Sequence, residues 1–495
     1  MSLISTRFHA VMLRLSIFVL LTFLCSCAST IKEVPAKHVV MFDEYSRLLD
    51  PTGNTDCAKP ADPSSLCRGR HLTSTDYLPL SAAQEKRYMD ELLAGVRDAK
   101  EEGKKLLIFV HGGLNTQTGS VKRVKKLTPR ILDAGYHPIF INWRSSWAFS
   151  YFNHLFLVRQ GEEMKALGPV SSPVVLVYDA GRAVLRAPLV WSSQIYGWTE
   201  SLPGSGLSDD LNPREAQLMD AQTRDLAKAI RIMPGVDKRS DSETASSGVS
   251  WFVLGPIRML TAPLIDGFGT SAWDNMLRQT QLLIHTMKEY RGARPTEVGG
   301  LARVMNQIKD QVKALKERSR DWEIMLVGHS MGTIVLNDLL RDIPDFPADT
   351  IVYMAAACSV RDFEQSVLPY LRRPDNQTKF YNLSLQRRAE EGERNYMDFV
   401  IRGSLLTWID EFFANPMTPT DRTLGRYVNF LRTEQIFSPE NLRGRVYQKE
   451  FNYGDSVSKT DPQKHGDFDR CPFWEKDFYS LVPPSQDPKL FCSDD

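Results

Sequence analysis

Short runs that are apolar on both faces, separated by stretches of helical periodicity, constrain the fold of this chain more than any other feature. Lys105-Leu-Leu-Ile-Phe-Val110, Pro138-Ile-Phe-Ile-Asn-Trp143 and Glu323-Ile-Met-Leu-Val327 are of this kind, as are 349–357 and 379–385, and 444–451 can serve as the last. A strand with two apolar faces must be covered on both, and helices packed above and below a parallel sheet provide that cover. Helical patterns fall between the runs: 81–102 opens at Ser81 as a cap and is followed by Gly103, and 120–134, 333–341, 361–372 and 403–413 continue the alternation. The pattern predicts an α/β fold with six core strands, mostly parallel and flanked by helices.

The alternation stops once. Between Trp143 and Glu323 lie about 180 residues, where a strand–helix–strand crossover needs about 30. A large inserted subdomain is therefore expected over 145–270, dividing the core into 81–144 and 271–495, with an N-terminal extension over 27–80. The insertion holds two apolar, aromatic stretches, 168–198 and 249–268, with a polar, Ser-rich linker at 238–247 before the second. Trp191, Trp198 and Trp251 lie in these stretches, while Asp179, Arg182, Arg186 and Arg258 interrupt them, so neither is expected to span a membrane. Two helices, 271–290 and 297–319, lead back to the sheet.

The charge balance removes one class of partner. Against 61 Lys and Arg stand 60 Asp and Glu, a net charge of +1, which leaves no excess to neutralise a phosphate backbone, so nucleic acid is not expected as a ligand. The N-terminus is more specific. Arg7 and Arg14 flank the start of an apolar run, 15–24, that is too short to cross a bilayer and ends in Leu24-Cys25-Ser26-Cys27. This tetrapeptide resembles the lipobox of bacterial lipoproteins. The resemblance implies a signal peptide over 1–26, lipidation of Cys27 as the mature N-terminus, and, from Ala28 behind it, an outer-membrane lipoprotein of the bacterial cell envelope held by an N-terminal lipid anchor. A soluble secreted form and an uncleaved anchor are the alternatives.

Export into an oxidising compartment makes two local disulfides plausible, Cys57 with Cys67 and Cys471 with Cys492, with unpaired thiols as the alternative; Cys358, at the end of an apolar run, reads as a buried free thiol. No Cys-x-x-Cys or His-x-x-x-His spacing occurs, so no metal site is expected.

Gly328-His329-Ser330-Met331-Gly332 follows one apolar run directly and opens a helical one. Here the chain resembles the α/β-hydrolase superfamily, whose Gly-x-Ser-x-Gly elbow presents a serine on a sharp strand-to-helix turn. The glycines answer a steric need, because the bend leaves no room for Cβ atoms two residues either side of the serine. His111-Gly112-Gly113-Leu114, after an earlier run, matches the loop that supplies one oxyanion-hole amide in that superfamily. The resemblance implies Ser330 as nucleophile, with backbone N–H groups of Gly113 (or Leu114) and Met331 as the oxyanion hole. His111 itself reads as a loop-ordering residue.

In that superfamily the acid and then the histidine follow the serine. Of the nine histidines only His465 lies after Ser330, in a loop beyond the last expected strand, much like the histidine loop of many lipases and esterases. The acid should follow 379–385, where Glu390, Glu391, Glu393, Asp398 and Asp410 are available. Asp398-Phe-Val-Ile-Arg-Gly-Ser404 resembles the superfamily's Asp-x-Val-Pro-x-x-Ser segment, which favours Asp398 and leaves Glu393 and Asp410 open. What the resemblance implies is a serine hydrolase acting on a carboxylic ester through an acyl-enzyme, with no cofactor. An apolar insertion on a membrane-tethered chain points toward a lipid or acyl ester, although the apolar stretches could equally build the insertion's own core. A non-catalytic envelope lipoprotein that uses the fold as a binding module, and a thioesterase, amidase or acyltransferase, are the other readings.

Overall fold

The both-faces-apolar runs do what such runs must: they become the buried strands of one open sheet with helices on both sides. In the computed structural model, eight strands, all in parallel register, form this sheet: β1 (Val39–Met41), β2 (Lys105–Val110), β3 (Tyr136–Asn142), β4 (Arg231–Met233), β5 (Ile324–His329), β6 (Thr350–Met354), β7 (Lys379–Ser384) and β8 (Val446–Glu450). Their order is β1-β3-β2-β5-β6-β7-β8-β4. The structure describes residues 35–51, 77, 79–113, 115–159, 162–163, 167–200, 230–285, 298–318, 321–394, 402–437, 442, 444–481 and 491–492. Cys27, Cys57 and Cys67 lie outside them.

Six of these strands are the expected ones. The other two, β1 and β4, are edge strands of three residues each, too short to carry a periodic signal. β4 lies within what reads as the insertion, so the chain leaves the sheet after β3, touches its far edge, and only then returns to the centre.

The helices named here are α1 (Ala82–Glu101), α2 (Gln117–Asp133), α3 (Trp147–Phe156), α4 (Leu167–Glu200), α5 (Asp241–Ile284), α6 (Gly300–Arg318) and α7 (Gly332–Asp342). Ser81 and Gln84 form a reciprocal capping box on α1, as its start signal suggests. α2 begins three residues before the expected Ser120, because Thr116 Oγ1 accepts the Gly119 amide and caps the helix there. The stretch 238–247 does not stay a linker: α5 starts at Asp241 and runs unbroken to Ile284, through residue 270. Its Ser and Gly content argues against a helix locally, but α5 packs against α4, and tertiary packing of this kind overrides propensity. The helix expected over 361–372 breaks at Ser366 into Val360–Gln365 and Val367–Arg372. The one expected over 403–413 starts at Leu405 and widens into a π-turn at Ile409–Phe413.

α4 is built inside out. Its charged residues turn inward: Asp179 is fully buried and accepts from Tyr151 Oη at 3.0 Å and Ser271 Oγ at 2.9 Å, Arg186 pairs with buried Asp266 at 2.9 Å, and Arg182 reaches Thr270 at 3.3 Å. Its aliphatic residues face outward, with Val170 78%, Val177 71%, Val184 72% and Leu185 82% exposed, and Leu260 of α5 adds 70%. A helix on a water-facing surface arranges these groups the other way round. Among the described residues no helix is long and apolar enough to cross a membrane.

Candidate active site

Sheet order decides where a site can form. From β2 the chain continues to one side of the sheet, to β3, and from β5 to the other, to β6, so β2 and β5 flank a topological switch point where the loops diverge and leave a crevice at the strands' C-terminal ends. Val110 of β2 lies opposite Gly328 of β5, and Ser384 of β7 opposite Glu450 of β8, so these strands end close together. The loops that follow carry Gly113, Ser330, Glu393 and His465 to one crevice.

Ser330 sits on the bend after β5 at φ 52°, a left-handed conformation that costs a non-glycine residue on the order of 1–3 kcal/mol. The surroundings hold it there. Its N–H donates to Met354 O at 2.9 Å, and its carbonyl accepts from the Ala357 amide at 3.1 Å and Thr333 Oγ1 at 2.7 Å. Gly332 is required by proximity, since a Cβ there would stand 2.1 Å from the carbonyl oxygen of Val110. The loop after β2 lies directly on the bend: a Cβ on Gly113 would meet Met331 Sδ at 2.6 Å and Met276 Cε, from α5, at 2.8 Å.

His465 arrives from the opposite end of the crevice, and its Nε2 lies 2.8 Å from Ser330 Oγ. Burial pushes the imidazole well below its ordinary pKa, so near neutral pH it is the free base, and Nε2 accepts the serine proton. The remaining proton then sits on Nδ1, which is buried with no hydrogen-bond partner among the described residues. His329, inside the elbow, holds the incoming loop: its Nε2–H donates to His465 O at 3.0 Å. Nothing in the sequence pattern marks that contact, because the second position of the elbow motif accepts any residue.

The amides of Gly113 and Met331 have no hydrogen-bond acceptor among the described residues, which leaves both available to an oxyanion. Leu114 lies outside those residues. The loop around Gly113 is rigidly held. His111, driven down to a pKa of about 3 by burial and hence neutral, is hydrogen-bonded through Nδ1 to Gly112 O at 2.7 Å, accepts the Trp143 amide on Nε2 at 3.2 Å and stacks on the Trp143 ring. This is the ordering role read from the sequence. Asn115 Nδ2 donates to Gly112 O and Gly113 O, and Arg123 fixes Asn115 in turn.

No family model matches this chain. No curated protein and no solved structure matches it either.

Among the acids, Asp398 lies outside the described residues. Asp410 is committed elsewhere, accepting from the Thr423 amide at 2.8 Å and Asn429 Nδ2 at 2.7 Å and pairing with Arg426 at 3.4 Å. Glu391 pairs with Arg387 and Arg426. Glu390 is buried against the Ser404 hydroxyl, and burial pushes its carboxyl up to about 8. Glu393 is the described member of the set that touches His465: its Oε2 accepts the His465 backbone N–H at 2.9 Å, and burial pushes its carboxyl up to about 7.

Gly113, Asn115, His329, Ser330, Glu393 and His465 line a cavity of about 480 Å³ that also receives Lys122, Lys126, Leu127, Leu405, Trp408 and Arg470. Cys471 and Cys492 form the disulfide expected for that pair, and Cys358 is a buried free thiol, also as expected. Among the described residues no cluster of His, Cys, Asp or Glu could hold a metal ion.

Proposed function

We propose that this protein is a serine hydrolase of the α/β-hydrolase type that cleaves carboxylic esters through an acyl-enzyme on Ser330. The observation that carries the reading is the 2.8 Å contact between Ser330 Oγ, on a strained bend, and a buried, neutral His465 that meets it from the far end of the chain. In this reaction Ser330 Oγ attacks the ester carbonyl carbon while its proton passes to His465 Nε2. The tetrahedral oxyanion is held by the Gly113 and Met331 amides, each worth about 2.7–4 kcal/mol to the transition state. Collapse expels the alcohol, which takes the proton from His465. Water then gives its proton to His465 Nε2, attacks the acyl carbonyl and releases the acid, and the proton returns to Ser330 Oγ. Glu393, whose Oε2 accepts the His465 backbone N–H, is the positioning residue we assign to this cycle; to balance the imidazolium it would have to turn from that amide to Nδ1.

The decisive test is covalent. A fluorophosphonate should phosphonylate wild-type protein at Ser330 with loss of fluoride, as read by mass spectrometry of the modified peptide, and should leave Ser330→Ala and His465→Ala unlabelled. Wild-type protein that resists the probe at all concentrations would end the proposal. Thioesterases and amidases of this type would label equally, and a panel of matched ester, thioester and amide substrates separates them.

A lipid-like ester is favoured by α4. Every residue of 167–192 that faces solvent is uncharged, while the three charged ones point inward, an arrangement suited to lying on a bilayer's apolar boundary. α5, which supports this face, also reaches the oxyanion loop through Met276. Lipidation at Cys27 would tether the molecule to the same surface. Leu185→Glu, at a position 82% exposed, should leave the fold intact and cut co-sedimentation with phospholipid vesicles at least several-fold. Unchanged sedimentation would remove the bilayer from the reading.

A further inference from the structure

Chemistry at Ser330 needs two loops from distant parts of the chain to keep their relative position: the loop after β2, which carries the Gly113 amide, and the loop after β8, which carries His465. A side chain of α2 reaches both. Arg123 Nη2 donates to Asn115 Oδ1 at 2.8 Å, while its Nε pairs with Asp469 Oδ2 at 2.6 Å in an ion pair that is mostly buried. We propose that Arg123 is a positioning residue that holds the oxyanion amide and the base in register, through Asn115 on one side and Asp469 on the other. The inference rests on the hydrolase reading of Ser330 and adds to it a residue outside the reacting groups.

The two arms of the guanidinium control different atoms. Asn115 Nδ2 donates to Gly112 O at 2.9 Å and to Gly113 O at 3.0 Å, and Ser145 Oγ adds a bond to Gly112 O at 3.2 Å. A trans peptide unit is planar, with its C=O and N–H pointing opposite ways, so donors that fix Gly112 O also fix the direction of the Gly113 N–H. Left to itself, a Gly-Gly unit has no Cβ to restrict its orientation. The second arm ends on Asp469, four residues beyond His465 in the same short helix, His465–Arg470. His465 depends on that support, because its Nδ1 has no hydrogen-bond partner among the described residues and its ring is aimed through its backbone. His329 donates to its carbonyl, Glu393 accepts its N–H, and Arg123 holds the far end of the helix. Lysine presents one ammonium where arginine presents a fixed planar fork, so it can keep one arm but not both.

Kinetics on nitrophenyl butyrate and resonances of glycine- and histidine-labelled protein test the proposal together. The Gly113 N–H meets an oxyanion only in the transition state, so Arg123→Met should lower kcat about 10- to 100-fold and leave KM within about twofold, and Arg123→Lys should recover only part of the loss. In the Arg123→Met background Asp469→Asn should add less than about twofold, whereas independent roles would multiply. The resonances need no turnover. Asp469→Asn should shift the Gly113 amide signal and Asn115→Ala the His465 ring signals, each on the loop that was not altered, with melting temperatures within a few degrees of wild type. Should Arg123→Met fail to fold, these two milder variants carry the test. An Arg123→Met protein that keeps kcat, loses only KM or multiplies with Asp469→Asn overturns the proposal, and so do signals that move only in the altered loop. If the wild type resists the fluorophosphonate and turns over no ester, yet the signals shift across the two loops, the hydrolase reading fails and the coupling through Arg123 stands.

Discussion

Ser330→Ala is expected to lower kcat/KM on a short-chain nitrophenyl ester by about 10⁴ to 10⁶-fold, the largest effect of any single change in this protein. The hydroxyl's one described side-chain contact is with His465 Nε2, and the bend around it is held by backbone groups and Thr333, so the melting temperature should change by no more than a few degrees. Loss of rate without loss of fold is the signature of a nucleophile. A residual acceleration over water of about 10³ is compatible with it, since the Gly113 and Met331 amides and the cavity walls remain. Full activity in this variant would mean that the contact between Ser330 and His465 is structural and that the chemistry, if any, lies elsewhere.

The second large effect concerns the acid. Glu393→Gln is expected to reduce kcat by about 10² to 10⁴-fold, because glutamine cannot balance the imidazolium that forms when His465 takes the serine proton. Asp398→Asn should stay near wild type, and reversal of these two outcomes would return the role to Asp398. The pH profile supplies an independent readout. Burial holds the Glu393 carboxyl near 7, so below that pH it is protonated, carries no charge and cannot support the imidazolium. Activity should therefore rise with pH through about 7. His465, whose pKa burial depresses, adds a second limb on the more acidic side, where protonation of Nε2 removes the base. Glu393→Gln should abolish the limb near 7 and leave the acidic one. A profile that is flat above pH 6 in the wild type would exclude Glu393.

Both predictions depend on burial at the crevice, which also explains how far the site could be read from the chain. Ser330 and His465 were accessible because order along the chain and the glycine spacing around the serine are themselves one-dimensional facts. The carboxylates 390, 391, 393, 398 and 410 are chemically near-identical in sequence. What separates the described ones is which groups their carboxyl oxygens meet: Asp410 meets Thr423, Asn429 and Arg426, Glu390 meets Ser404, and Glu393 meets the backbone of His465.

By itself the sequence determined the parallel sheet, since runs apolar on both faces have no other low-energy use, and it determined the bend after β5, since only glycine fits where a Cβ would strike the Val110 carbonyl. It also carried the pairing of Cys471 with Cys492, two cysteines close along the chain. Tertiary structure alone decided the edge strands β1 and β4, the inward turn of Asp179, Arg182 and Arg186, and the approach of Glu393 to His465. Periodicity records that a helix has two unlike faces; which face meets protein and which is left outside depends on neighbours that only the folded chain brings together.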